Sequence, residues 1–240
     1  YCTGMGHRRL SIIDVKNGHQ PIYSIDKKKV IVYNGEIYNF RELKQKYFSK
    51  DEIFSTQTDT EVVLKLYEKF GVSSFSMFEG MFSFSIYDSE KKKIFITRDF
   101  FGEKPLYYTY CNDVFYWASE LKSIIKVIDT KPKIDNVGLN LYFRLTYIPS
   151  PYTIYEGIQK LEPSHYIEID CLTGLYKTIG ISEKKNELIK ISFEEAKIKV
   201  YEMVHQSVNS RLVSDVPVGS LLSGGVDSSI VSLCAAQHLN

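Results

Sequence analysis

The chain has 240 residues and a net charge of +1, with 44% hydrophobic and 25% charged residues. This length and composition suit one large globular domain or two small ones. The near-neutral charge gives no reason to expect nucleic acid or a membrane surface as a partner, and no stretch is apolar enough to span a bilayer. The four scattered cysteines have no metal-ligand spacing and fit a reducing, cytoplasmic environment.

Short β-prone segments alternate with helical ones in the first three quarters of the chain. A strand at residues 31–33 precedes a helix at 40–47, and a second helix begins near Thr58, which has capping-box spacing to Glu61. Three hairpins are predicted, at residues 80–88 with 93–99, 106–110 with 114–118, and 165–170 with 175–179. Helices among antiparallel strands indicate an α+β layered fold.

Two polar motifs in this part each have two interpretations. Asn34-Gly35 ends a strand, where such a pair usually makes a hairpin turn. Because the chain then continues towards a helix, the pair could instead present the Asn34 side-chain amide and the Gly35 N–H to a ligand. Asp59 at a helix start could simply complement the helix dipole. The local pattern does not decide between these roles.

A polar, lysine-rich stretch at residues 181–192 predicts a linker between domains at 1–180 and 193–240. Residues 193–212 carry an apolar stripe at helical spacing. The apolar, β-prone residues 216–222 predict a buried strand, and residues 228–236 predict a helix that faces a sheet.

The segment Ser223-Gly224-Gly225-Val226-Asp227-Ser228 joins this predicted strand to the helix. A glycine turn between strand and helix points backbone N–H groups at an anion, and two glycines let the chain approach a phosphate closely. The serines add hydroxyl donors, and Asp227 is the one carboxylate, which suggests a Mg²⁺ ligand. A Walker loop is excluded because no lysine is present. The alternative is an ordinary serine-rich helix cap.

Many segments in the same order resemble those of glutamine-hydrolysing asparagine synthetases. They are residues 6–14, Asn-Gly-Glu-Ile-Tyr-Asn at 34–39, Thr-Asp-Thr-Glu-Val at 58–62, Gly-Met-Phe-Ser-Phe at 80–84, residues 98–108, Ala-Ser-Glu-Leu-Lys at 118–122, residues 214–219 and the glycine-serine segment at 223–228. Such an ordered series is more specific than any single motif.

The resemblance implies a fold and a reaction. The fold is a four-layer α/β/β/α sandwich of the N-terminal-nucleophile glutaminase type, followed by the start of an α/β parallel-sheet ATP-pyrophosphatase domain. Glutamine would be hydrolysed in the first domain, and its ammonia would pass through a tunnel to the second. There ATP and Mg²⁺ would activate aspartate, giving asparagine, AMP and pyrophosphate. The resemblance is also compatible with a homodimer.

The resemblance also implies roles for individual residues. Arg9 would pair with the α-carboxylate of glutamine through two parallel N–H bonds, beside Leu10, Ser11, Ile12 and Ile13. Asn34 and Gly35 would form the oxyanion hole, and Glu36 with Asp59 would hold the ammonium group. The nucleotide would contact Leu221, Ser223, Gly224, Gly225, Asp227 and Ser228, with Mg²⁺ at Asp227. Arg9 taken alone could equally be a surface cation.

The nucleophile of this family is an N-terminal cysteine whose own α-amino group helps to activate its thiol. Cys2 lies four residues before Gly6, whereas the nucleophile of the family lies several dozen residues upstream, and Tyr1 blocks its α-amino group. We therefore expect a chain truncated at both ends, without the first strand and the nucleophile, and inactive by itself.

Three alternatives to asparagine synthesis stay open. Related amidotransferases of surface-sugar or antibiotic pathways amidate other carboxylates, and lactam-forming synthetases keep the fold but lose the nucleophile. The chain could also be an inactive binding remnant, although the intact segment at 223–228 argues against decay.

Overall fold

The computed structural model describes residues 3–10, 12–181 and 188–239, which form nine strands and six α-helices. In chain order these are β1 Ile22–Tyr23, β2 Lys29–Ile37, α1 Phe40–Tyr47, α2 Asp59–Phe70, β3 Gly80–Asp88, β4 Lys93–Arg98, β5 Tyr107–Cys111, β6 Val114–Ala118, α3 Leu121–Val127, α4 Asn136–Leu145, β7 Gln159–Lys160, β8 His165–Asp170, β9 Tyr176–Gly180, α5 Phe193–Ser210 and α6 Val226–Leu239. A 3₁₀ helix at Gly71–Met77 follows α2.

The strands form two antiparallel sheets. Six strands lie in the order β1-β2-β3-β4-β8-β9, and three lie in the order β6-β5-β7. The three predicted hairpins are confirmed as β3–β4, β5–β6 and β8–β9. Each strand runs within one residue of its predicted limits, because alternating side chains and polar turns mark hairpins clearly in a sequence.

The layers follow from which face each side chain occupies. Ile31, Tyr33 and Phe84 on one face of the larger sheet pack against α1 and α2. Ile94 and Ile96 on the opposite face pack against the smaller sheet. The helix α3 covers β5 and β6. This order of helix, sheet, sheet and helix confirms the four-layer sandwich.

The start of α2 differs in detail from the predicted capping box. The Thr58 hydroxyl accepts the Glu61 N–H at 3.2 Å, as predicted. The Glu61 carboxylate, however, accepts the N–H groups of Ser55 at 2.8 Å and Thr56 at 2.6 Å. The reciprocal bond to Thr58 is replaced because the preceding loop folds back over the first turn of the helix.

The second part of the described chain consists of α5 and α6, which pack together through Val208, Cys234 and Ala235. A full capping box between Ser192 and Glu195 begins α5. Among these described residues none forms a strand, so the strand predicted at 216–222 is wrong. Leu221 is 94% exposed and Leu222 65% exposed. An apolar, β-prone sequence makes a strand only where a neighbouring strand pairs with its backbone and covers its side chains.

Six residues of the predicted linker, 182–187, lie outside the described part of the chain. Of the described helices, none is both long and apolar enough to cross a membrane.

Candidate glutamine and phosphate sites

Asn34 and Gly35 lie inside β2, where they pair with Ser83 and Phe82 of β3. The hairpin-turn interpretation of this Asn-Gly pair is therefore wrong. Asn34, Gly35 and Glu36 are half-buried between the buried residues Tyr33 and Ile37, so they form an open stretch on an otherwise covered strand. The Asn34 side-chain amide donates to Ser119 Oγ at 3.2 Å, which fixes its direction.

Close contact between β2 and β3 explains the glycine at position 35. A Cβ added there would lie 2.0 Å from the Met81 carbonyl oxygen and 2.6 Å from Phe82 Cα. The residue also has a φ of +147°, which L side chains rarely adopt. The Asn-Gly pair resembles a turn in the sequence, but the glycine is needed because β3 leaves no space for a side chain at position 35.

The Gly35 N–H is not used in the β2–β3 ladder. Phe82, opposite Gly35, directs its own backbone groups to the other side, because its N–H donates to Asp99 Oδ2 at 3.3 Å and its carbonyl accepts the Asp99 N–H at 2.8 Å. Gly35 and Phe82 therefore form a non-hydrogen-bonded pair, in which the backbone groups of both strands point outwards. Among the described residues, the Gly35 N–H therefore has no partner on β3 and is available next to Asn34.

Two side chains hold β2 at either end of this stretch. Gln20 accepts the Tyr33 N–H at 2.6 Å and donates to the Tyr33 carbonyl at 2.9 Å, so its amide replaces a neighbouring strand. Asp59 Oδ2 accepts the Ile37 N–H at 3.0 Å and the Tyr33 hydroxyl at 2.8 Å. Sequence analysis missed Gln20 and gave no role to Ser119 of the 118–122 segment, because only the fold brings the two residues next to β2.

Asp59 lies at the first position of α2 and is 4% exposed. Burial raises the pKa of its carboxyl, while the hydrogen bonds from Ile37, Tyr33 and Thr60 and the charge of Arg9 oppose that rise. Its role exceeds the helix-dipole interpretation, because it ties α2 to β2 beneath the open stretch.

Glu36 follows Gly35 on β2 and is half-buried. Burial and, after it, the charge of Asp59 raise the pKa of Glu36, and the charge of Lys104 opposes that rise. An ammonium group beside these two desolvated carboxylates would stabilise both in their charged form.

Arg9 is half-buried and held by the backbone that follows it. Its guanidinium donates to the Asp14 carbonyl at 3.1 Å and also to the Ile13 carbonyl. An arginine has five N–H donors, so these two bonds leave donors for a carboxylate. The anchoring supports a role in binding a carboxylate, and the choice between this role and a surface cation stays a prediction.

The residues that were predicted to lie beside Arg9 in the glutamine pocket differ in their exposure. Leu10 is 86% exposed, Ile12 is half-buried, and Ile13 is 7% exposed within the core between helices and sheet. Ser11 lies outside the described residues.

Gly18 is a further residue that sequence analysis missed. A Cβ at this position would lie 2.5 Å from Arg9 Nη2 and 2.5 Å from Thr58 Cγ2. The glycine therefore leaves the space in which the Arg9 guanidinium rests against the start of α2.

The phosphate-type segment at 223–228 runs into the first turn of α6, and all of it except the half-buried Ser228 is exposed. Ser229 N–H donates to the Gly225 carbonyl at 3.1 Å, so the helical bonds begin there and the first N–H groups of α6 lack helical partners. The hydroxyls of Ser223 and Ser228 lie 3.0 Å apart, and Gly224 has a φ of +85°. Asp227 lies in the first turn of α6.

This donor set fits a phosphate group with one divalent cation. The helix N–H groups and the serine hydroxyls are donors that can bind an anion, and the one carboxylate can supply a hard oxygen ligand to a cation. Within the described ranges, no group of three or more His, Cys, Asp or Glu could hold a metal ion by itself. A Mg²⁺ ion would thus depend on phosphate oxygens together with Asp227.

Two family models match the chain. The glutamine amidotransferase domain model matches residues 1–175, and the asparagine synthase model matches residues 199–240. The chain therefore belongs to the glutamine amidotransferase family. Within that class, the chain is similar in its C-terminal part to asparagine synthase, and the relatives described next are named glutamine-hydrolysing asparagine synthetases.

Curated relatives agree across nearly the whole chain. Asparagine synthetase [glutamine-hydrolyzing] 1 of Bacillus subtilis is 41% identical over 98% of this chain and 37% of its own length. A putative asparagine synthetase [glutamine-hydrolyzing] 2 of Methanocaldococcus jannaschii is 40% identical over 96% of this chain and 48% of its own length. The chain thus spans less than half the length of these relatives.

One solved structure supports the fold alone. The glutamine phosphoribosylpyrophosphate amidotransferase from B. subtilis superposes with a TM-score of 0.50 at 18% identity, over 92% of this chain and 46% of that structure.

Proposed function

We propose that the whole protein is an ATP-dependent amide ligase that takes nitrogen from glutamine and converts aspartate to asparagine. The observation that carries the proposal is the grouping around β2. A guanidinium at Arg9, a carboxylate pair at Glu36 and Asp59, and two N–H donors at Asn34 and Gly35 match the carboxylate, ammonium and amide oxygen of one glutamine molecule.

The donors define what the pocket contributes to amide hydrolysis. When a nucleophile attacks the amide carbon, negative charge develops on the amide oxygen. The Asn34 amide and the Gly35 N–H would stabilise that charge, and both are already held in direction by Ser119 and by the strand. The described cysteines, Cys111, Cys171 and Cys234, do not belong to this group. The resemblance places the attacking cysteine upstream of the motifs.

The second step belongs to the segment at 223–228. ATP is a substrate there, and bound Mg²⁺ would neutralise charge on the pyrophosphate that leaves. The N–H groups at the start of α6 and the hydroxyls of Ser223 and Ser228 would hold the phosphates, and Asp227 would hold the cation. The acceptor carboxylate would attack the α-phosphorus of ATP and displace pyrophosphate, which gives an acyl adenylate. Ammonia released at the glutamine pocket would then attack the acyl carbon, displace AMP and lose a proton, which leaves the amide.

Location and assembly are proposed more coarsely. Cys111, Cys171 and Cys234 are free thiols, which supports a reducing cytoplasmic environment. The net charge of +1 supports small-molecule partners rather than nucleic acid or membrane. A homodimer stays a prediction of the resemblance, which sedimentation of the full-length protein would test.

The reaction is tested by product analysis of the full-length protein with aspartate, ATP, Mg²⁺ and glutamine. We expect asparagine, glutamate, AMP and pyrophosphate in equal amounts. Pyrophosphate release that depends on a carboxylate other than aspartate would contradict the proposed acceptor. Absence of glutamate release would contradict the proposed nitrogen donor.

A further inference from the structure

The segment that leads from α5 to the phosphate-type segment contacts the glutamine side of the molecule at two places. Asp215 N–H donates to the Ile12 carbonyl at 3.2 Å, and Asp215 Oδ2 accepts the Asp14 N–H at 2.8 Å. Arg211 lies 3.8 Å from the Glu103 carboxylate and 5.0 Å from the centre of the Tyr38 ring. Residues of the second predicted domain therefore join the first next to its candidate site.

The contact at Asp215 falls on the backbone that holds Arg9. The Ile13 carbonyl, which accepts from Arg9, and the Asp14 N–H, which donates to Asp215, belong to the same peptide group. A peptide group is planar, and its N–H and C=O point in opposite directions when it is trans. A bond that directs the N–H to Asp215 therefore directs the carbonyl to Arg9.

The same turn is also tied to the start of α2. The Asp14 carboxylate accepts the Gln57 N–H at 2.9 Å and the Asn17 N–H at 3.1 Å. These bonds fix the Asp14 side chain, but neither of them involves the N–H of the 13–14 peptide group. Asp215 is the residue that holds it.

We propose that Asp215 is a positioning residue for the glutamine pocket, which orients the 13–14 peptide group and through it the Arg9 guanidinium. This inference rests on the proposed function and adds to it that the pocket is completed by a residue from the second domain. Asp215 does not touch glutamine, and it acts through Arg9.

The first test compares steady-state glutamine hydrolysis by the full-length protein and its Asp215→Ala variant. A hydrogen bond to a charged group is lost, so we expect the KM for glutamine to rise roughly 10-fold while kcat changes less than about twofold. Asp215→Asn keeps a side-chain oxygen that can accept the Asp14 N–H, and it should stay within about threefold of wild type. Asp215→Glu moves the acceptor by one methylene and should raise KM, which gives a second variant if Asp215→Ala does not fold.

Ser214→Ala is the matched control. Among the residues that the structure describes, the Ser214 hydroxyl bonds only within its own segment. It donates to the Val216 carbonyl at 2.9 Å and accepts the Val216 N–H at 3.1 Å. This variant should keep the wild-type KM, and ammonia-dependent amide synthesis should show that each variant remains folded.

A double-mutant cycle tests whether Asp215 acts through Arg9. In the Arg9→Ala background, adding Asp215→Ala should leave kcat/KM for glutamine unchanged within about twofold. Multiplied effects of the two substitutions would overturn the inference, as would an unchanged KM in both Asp215→Ala and Asp215→Glu. If the wild-type full-length protein does not hydrolyse glutamine at all, the proposed function fails together with the inference. Wild-type hydrolysis with no effect of Asp215 overturns the inference alone.

Discussion

At residue scale, the carboxylates of Glu36 and Asp59 support the proposed role of the candidate site in binding an ammonium group. Burial raises the pKa of both, and the charge of Asp59 raises the pKa of Glu36 further. Ionising two neighbouring, partly desolvated acids costs stability in the absence of a cation. This arrangement is poor for folding alone and favourable for binding an ammonium group, as expected where function and stability compete.

We expect Glu36→Gln to raise the melting temperature at neutral pH and to weaken glutamine binding. The folded-state pKa of Glu36 lies above its ordinary value. The folded chain therefore binds this proton more readily, and stability falls as the pH rises from the ordinary to the raised pKa. The glutamine side chain at position 36 of the variant does not ionise. The loss of stability with rising pH should therefore be smaller in the variant than in the wild type. Thermal melts across the acidic range check the effect on stability, and the KM for glutamine checks the effect on binding. A lower melting temperature of the variant at neutral pH would contradict the prediction.

Gly18→Ala should weaken the use of glutamine without touching the substrate. The new Cβ would lie 2.5 Å from both Arg9 Nη2 and Thr58 Cγ2, so Arg9 must shift. We expect kcat/KM for glutamine to fall by roughly 10-fold, since a misplaced charge pair loses part of its strength. Gly4→Ala is the control, because nothing lies within 4 Å of a Cβ at that position. Equal effects of the two substitutions would show that Gly18 has no special relation to Arg9.

At the scale of elements, the sequence predicted best what local chemistry decides. The hairpins β3–β4, β5–β6 and β8–β9 have alternating side chains and polar turns, and helix α5 has an apolar stripe and a capping box. Residues 216–222 were predicted as a strand from composition alone. Pairing with another strand is a long-range condition that composition does not contain.

The candidate site was predictable only as separate motifs. The residues of β2 and the start of α2 were identified, but their supports come from distant parts of the chain. Gln20, Gly18, Ser119 and Asp215 act through hydrogen bonds or close approach that no local pattern reveals. The Asn34-Gly35 pair was ambiguous because a glycine needed for close strand approach looks the same in sequence as a glycine needed for a turn.

The start of α6 gives a prediction at element scale. Asp227→Asn should abolish ATP-dependent amidation while glutamine hydrolysis continues, because Asp227 lies in the first turn of α6 and the glutamine-side residues lie on β2 and α2. Losing the carboxylate should cost several kcal/mol of transition-state stabilisation, the scale of other metal-held phosphates. Gln237→Ala, exposed near the other end of α6, is the control. Wild-type pyrophosphate release by Asp227→Asn would remove this residue from the site.

At the scale of the whole molecule, the two candidate sites lie in two parts of one chain. The proposed glutamine-binding residues lie in the sandwich on β2, and the proposed phosphate-binding residues lie at the start of α6. The contacts of Arg211 and Asp215 join the two parts, and we propose that the glutamine pocket depends on both.

The most direct test measures asparagine formation by full-length Arg9→Ala with either glutamine or ammonia as nitrogen source. Arg9 is proposed to bind the α-carboxylate of glutamine, and breaking such a charge pair should weaken glutamine-supported synthesis by roughly 2–4 kcal/mol in kcat/KM. Free ammonia needs no glutamine pocket, so ammonia-supported synthesis should keep its wild-type rate. An unchanged KM for glutamine, or an equal loss with both nitrogen sources, would contradict the account.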